Sequence, residues 1–130
     1  MSRVVAAVSR DVQERIRAIL PECELRFVLT GAQLARALDE TQCDMVIVGT
    51  HFDESSAVAA FERVLSRQET FAVVCVRGVP SVRLGERSLD ALRLALSELG
   101  AQNFIDLLQY PDDALGNARV RAMLERLLPR

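Results

Sequence analysis

The chain has 130 residues, half of them hydrophobic and 26% charged, with a formal net charge of −2 at pH 7. That length suits one domain, spanning 1–130, with a core of its own, and the charge gives no sign of a nucleic-acid-binding surface. All 16 basic residues are arginine, which excludes Schiff-base chemistry, a Walker-type phosphate lysine and any lysine clamp on phosphate.

The N-terminal stretch MSRVVAAVSRD is too soon interrupted by charge to be a signal peptide. No apolar run approaches the roughly 18 residues of a membrane span, so a cytoplasmic protein is expected. RVVAAV (3–8) is continuously apolar, the pattern of a strand buried on both faces. Asp11 and Glu14 have the spacing of a capping box, Val12, Ile16, Ile19 and Leu20 recur at helical intervals, and Pro21 closes that helix. ELRFVL (24–29) alternates, which predicts a strand nearer the sheet edge. TGAQ (30–33) opens the next helix with Thr30 as N-cap and Gln33 in the box position, and Leu34, Ala37 and Leu38 form its apolar face.

DMVIVG (44–49) is the most strand-like segment. A helix over about 55–67 turns Val58, Phe61, Val64 and Leu65 inward, and FAVVCV (71–76) is a fourth apolar strand. RGVPSVRLGERS (77–88) reads as a long connection. A helix from about 88 to 99 stops at Gly100, with Leu89, Leu92, Leu96 and Leu99 toward the core. NFIDL (103–107) is the fifth strand, and a helix starting near Asp112 or Asp113 carries the stripe Val120, Met123, Leu124, Leu127 and Leu128.

Five strands alternating with five helices predict an α/β three-layer sandwich around a parallel five-stranded sheet. In the flavodoxin-like order 2-1-3-4-5, the functional crevice lies beyond the carboxyl ends of the first and third strands. Those ends are Val8-Ser9-Arg10 and Gly49-Thr50-His51. Cys23, Cys43 and Cys75 share no CxxC spacing and are expected to be reduced thiols, with no metal and no cofactor.

ALSELGAQNFIDL (95–107), with its helix end, Gly-Ala and aromatic-bearing strand, resembles the corresponding segment of bacterial response-regulator receiver domains. DMVIVG (44–49) is similar to the third strand that in that family ends in a phosphorylated aspartate. The resemblance implies a module of two-component signalling, in which two acids and the acceptor aspartate hold Mg²⁺, a hydroxyl after the fourth strand reports phosphorylation and a lysine after the fifth neutralises the phosphate. Matched position by position, the acid pair falls on Val8 and Ser9 and the acceptor on Gly49. The switch hydroxyl falls on Val76 or Arg77, and the lysine on Leu107. None of these side chains can perform its role, so the chain resembles a pseudo-receiver, with no Mg²⁺ expected. The connection at 77–88 is also longer than in typical receivers.

Other chemistry is weakly signalled. Asp53 and Glu54 have the position of helix caps, and His51, the sole histidine, has no nucleophile at a recognisable spacing. Ser9, Arg10, Thr50 and Arg77 are candidates for binding an anion, unless the arginines pair with Asp11 or Asp53. Leu94, off its helix's core stripe, together with Tyr110, Leu115 and Met123, marks a candidate protein interface. The expected function is a phosphorylation-independent interaction module rather than an enzyme, binding a second copy or another signalling protein. A sensor of a small anionic ligand at the strand ends is the alternative.

Overall fold

The computed structural model describes residues 2–50, 63, 64, 66, 71–78, 94, 98 and 103–128. In chain order these form β1 (Arg3–Ala7), α1 (Arg10–Ile19), β2 (Glu24–Val28), α2 (Gly31–Glu40), β3 (Met45–Gly49), β4 (Ala72–Arg77) and β5 (Asn103–Asp106). A 3-10 turn (Leu107–Gln109) and a helix, α3 (Ala114–Glu125), follow. The strands lie in the order β2-β1-β3-β4-β5 and every pairing is parallel.

Alternation along the strands divides the core in two. Val4, Ala6, Val8, Met45, Ile47, Val74, Val76 and Ile105 pack with Val12, Ile16 and Ile19 of α1 and Val120 and Leu124 of α3. Val5, Ala7, Val46, Val48, Val73 and Cys75 pack with Leu34, Ala37 and Leu38 of α2 and with Val64. Each fully buried aliphatic side chain, Ile16 and Ile19 among them, contributes about 1.5–3 kcal/mol of burial free energy. The flavodoxin-like three-layer order predicted from the run of apolar segments is therefore the order found.

The helix starts show where local signals competed. The Thr30 half of the TGAQ box forms, its hydroxyl accepting from the Gln33 N–H at 3.1 Å, while Gln33 Oε1 accepts from the N–H of Leu29, one residue before the N-cap, at 2.8 Å. The Asp11–Glu14 box does not. Ser9 is the N-cap and α1 begins at Arg10, because the buried Val12 must face the sheet and its N–H already donates to the Ser9 carbonyl at 3.0 Å. Asp11 instead sits in the first turn, where a carboxylate favours the positive end of the helix. Asp113 caps α3, its Oδ1 accepting from the Gly116 N–H at 2.7 Å.

Strand β4 runs one residue further than its apolar stretch, to Arg77, and β5 stops at Asp106, so Leu107 opens the 3-10 turn. Of the helices expected over 55–67 and 88–99, Arg63, Val64, Leu94 and Glu98 have helical backbone. Val58, Phe61, Leu65, Leu89, Leu92, Leu96, Leu99 and the connection from 79 to 88 lie outside the described residues. Cys43 and Cys75 are buried free thiols and Cys23 is partly exposed. Among the described residues, no helix is long and apolar enough to cross a membrane.

Candidate functional site at the carboxyl ends of the strands

The ends of β1, β3, β4 and β5 bring together Val8, Gly49, Val76, Arg77, Asp106 and Leu107. Val8 and Leu107 are fully buried, and both belong to the core layer beneath α1 and α3. A Cβ built on Gly49 would stand 3.4 Å from Val8 Cγ1, so the neighbour of this glycine is an apolar side chain at ordinary contact distance. Past Gly49 the ladder continues, with the Thr50 N–H donating to the Val76 carbonyl at 3.0 Å.

The chain leaving β4 then crosses α1 at very short range. A Cβ on Gly78 would lie 2.6 Å from Val12 Cγ2, a separation a larger residue reaches only if Val12 moves. Val8, Val12 and Val76 thus give this end of the sheet an apolar floor.

Its charges lie on the other face. Arg77 and Asp106 are register partners on neighbouring parallel strands, and alternation points both away from the layer holding Val76 and Ile105. Arg77 Nη1 donates to Asp106 Oδ2 at 3.0 Å, with side-chain exposures of only 16% and 6%. The other carboxylate oxygen accepts from the Leu108 N–H at 3.1 Å. Among the described residues, the side-chain atoms Arg77 Nε and Ser9 Oγ are buried without a partner.

The residues expected to bind an anion stand in different settings. Arg77 is committed to Asp106 instead of Asp11 or Asp53, because the register places that carboxylate beside it. Arg10 is exposed on the first turn of α1, and Ser9 caps that helix through its backbone without a side-chain bond. His51, Asp53 and Glu54 lie outside the described residues. Asp106 escaped sequence reading; the signal for it was one acid at the end of an apolar strand, meaningful only once its neighbour was known to end in arginine.

On the candidate interface, Leu94 is 63% exposed, as its off-stripe position implied, Leu115 is 66% exposed and Leu108 is 42% exposed. Tyr110 and Met123 are half-buried against the α1/α3 core layer, Met123 as its place on the helix stripe implied, and the Tyr110 hydroxyl lies 3.8 Å from Met123 Sδ.

At the opposite end of the sheet, Leu20, Pro21, Glu22, Cys23, Arg121 and Glu125 line a cleft of about 220 Å³. The Cys23 thiol pKa is raised by burial and then by the negative charges of Glu125, Glu22 and Asp44, which keeps it protonated and unreactive.

Neither a family model nor a curated sequence matches the chain. Solved receiver domains do match it in structure. The BeF3-activated DrrB receiver domain superposes with a TM-score of 0.68 at 18% identity, over 97% of this chain and 99% of that one. Chemotaxis protein CheY4 of Vibrio cholerae gives 0.73 at 15% identity, over 98% and 99%. A LuxR-family DNA-binding response regulator from Staphylococcus aureus gives 0.74 at 8% identity, over 98% of each chain. At these identities the likeness is one of fold: the chain has the receiver fold.

Proposed function

We propose that this chain is a single receiver-like domain, residues 1–130, that regulates a bacterial signalling pathway by binding protein and takes up no phosphoryl group. The observation that carries the proposal is the pairing of Gly49 with Val8. Where a receiver places its acceptor and a metal-binding acid, this chain has a glycine packed against a buried valine. Phosphoryl transfer needs an ionisable nucleophile and a cation held by carboxylates. Asp106, at the end of β5, is bound to Arg77 and to the Leu108 N–H. Signalling then rests on differential binding of conformations.

Incubation with acetyl phosphate and Mg²⁺ tests this directly. No incorporation is expected, and Mg²⁺ should leave the melting temperature unchanged; a hydroxylamine-labile, aspartate-dependent label would overturn the reading. Gly49→Asp alone should restore no Mg²⁺-dependent labelling, because Val8 and Ser9 still supply no metal ligand.

The second reading, a sensor of a small anion, is favoured by the two buried donors without partners, Ser9 Oγ and Arg77 Nε. Thermal shifts against phosphate, nucleotides and organic acids separate the two. A stabilisation lost in Arg77→Ala or Arg10→Ala supports ligand sensing, and a flat response across the panel supports protein binding alone.

A further inference from the structure

Two arginines reach the same stretch of chain from opposite layers. Arg15, on α1 and only 12% exposed, donates through every nitrogen of its guanidinium: Nε to Asn117 Oδ1 at 3.2 Å, Nη1 to the Leu107 carbonyl at 2.7 Å, and Nη2 to the carbonyls of Tyr110 at 2.6 Å and Pro111 at 3.1 Å. From the other face, Arg77 holds Asp106, whose second oxygen holds the Leu108 N–H. We propose that the segment from Leu107 to Asp113 is a strap with one fixed clasp, Arg15, and one releasable clasp, the Arg77–Asp106 pair.

The asymmetry lies in how fully each guanidinium is satisfied. A planar fork that meets acceptors on all its nitrogens has nothing to gain by moving. Among the described residues Arg77 bonds only Asp106 through its side chain, and its Nε–H is buried without an acceptor. A buried unpaired donor is a standing cost that any oxyanion reaching it would relieve. Such an acceptor competes with Asp106 for Arg77 and thereby loosens the Asp106–Leu108 end of the strap. Leu108, partly exposed, rides on the strap, and Leu115 stands at the start of the helix that follows. Release therefore re-aims apolar side chains while Arg15 keeps α1 and α3 docked. The device goes beyond both functional readings and holds whether the domain binds protein or a ligand.

Amide hydrogen exchange followed by NMR tests it on the whole chain, with circular dichroism confirming that each variant folds. Asp106→Asn keeps the side chain's shape and its acceptor for Leu108 but removes the charge, and Arg77→Met removes the donor. Each is expected to speed exchange at Leu108 and Tyr110 roughly tenfold, the size of one lost charge-assisted bond, leaving Ile16 and Leu124 unchanged. The paired change Arg77→Met with Asp106→Asn should bring the strap back to within about twofold of the natural rate, since the amide oxygen still accepts from the Leu108 N–H and no buried charge is left behind. Arg15→Met should instead speed exchange in α1 and α3 as well. Unchanged exchange at Leu108 and Tyr110 in both single variants overturns the proposal. So does a uniform rise at every amide, or an Arg15→Met effect confined to the strap.

Discussion

Ser9 and Cys75 show how environment overrides residue type. A serine at a helix N-cap normally bonds a backbone N–H, and replacing it by alanine costs about 1 kcal/mol. Here the hydroxyl makes no cap bond and is buried without a partner, so Ser9→Ala should leave the urea midpoint unchanged or raise it slightly. A loss near 1 kcal/mol would mean the hydroxyl has a bound partner. The Cys75 thiol is pushed by burial from 9.0 to about 12. The folded chain thus keeps this proton where the unfolded chain loses it, so unfolding is favoured as pH rises from 9.0 toward 12. The contribution is fully present below pH 9.0, and its slope stays within about 1.4 kcal/mol per pH unit. Comparing the natural chain with Cys75→Val in urea at pH 8 and pH 11 isolates it: the natural chain should lose ground only at the higher pH.

At the scale of elements, two glycines with the same letter have opposite tolerances. Gly116 lies in the first turn of α3, where a Cβ would come within 1.9 Å of the Pro111 carbonyl oxygen. That oxygen is backbone and is held by Arg15, so it cannot swing aside. Gly116→Ala should cost about 3 kcal/mol or more, at the upper end of overpacking penalties. Gly49 ends a strand, and a Cβ there meets Val8 at ordinary contact distance. Gly49→Ala should be neutral or stabilising by up to about 1 kcal/mol, through the lower entropy of the unfolded chain. Chemical denaturation of the two variants side by side decides both. The same elements explain the final helix: Arg121 donates to the carbonyls of Ala18 and Ile19 at the end of α1, so α1 and α3 are joined at one end by Arg121 and at the other by Arg15.

For the whole molecule, the question is what the receiver fold presents to a partner. The exposed leucines at 94, 108 and 115 are single side chains of a kind any surface tolerates, and only a binding measurement separates the two cases. Light scattering behind size exclusion across micromolar concentrations should show a concentration-dependent rise in mass if the partner is a second copy. Leu94→Glu or Leu115→Glu should abolish that rise, while a charge at the half-buried Met123 should lower stability first. A constant monomer mass places the partner elsewhere, in a different protein.

The alternation of apolar runs with helical periods was enough to indicate five parallel strands, because burial on two faces leaves a nearly continuous apolar signature in four of them, and the strand order followed from the flavodoxin-like arrangement that this rhythm suggests. Sequence also determined that Val8, Gly49 and Leu107 bring no ionisable side chain to these strand ends. Tertiary structure alone decided how the remaining polar groups are used. That Arg77 meets Asp106, that Arg15 holds the chain after β5, and that Tyr110 turns inward depend on register and on contacts between residues far apart in the chain. A charged side chain shows its sign in the sequence, but its partner is chosen by which strand lies alongside.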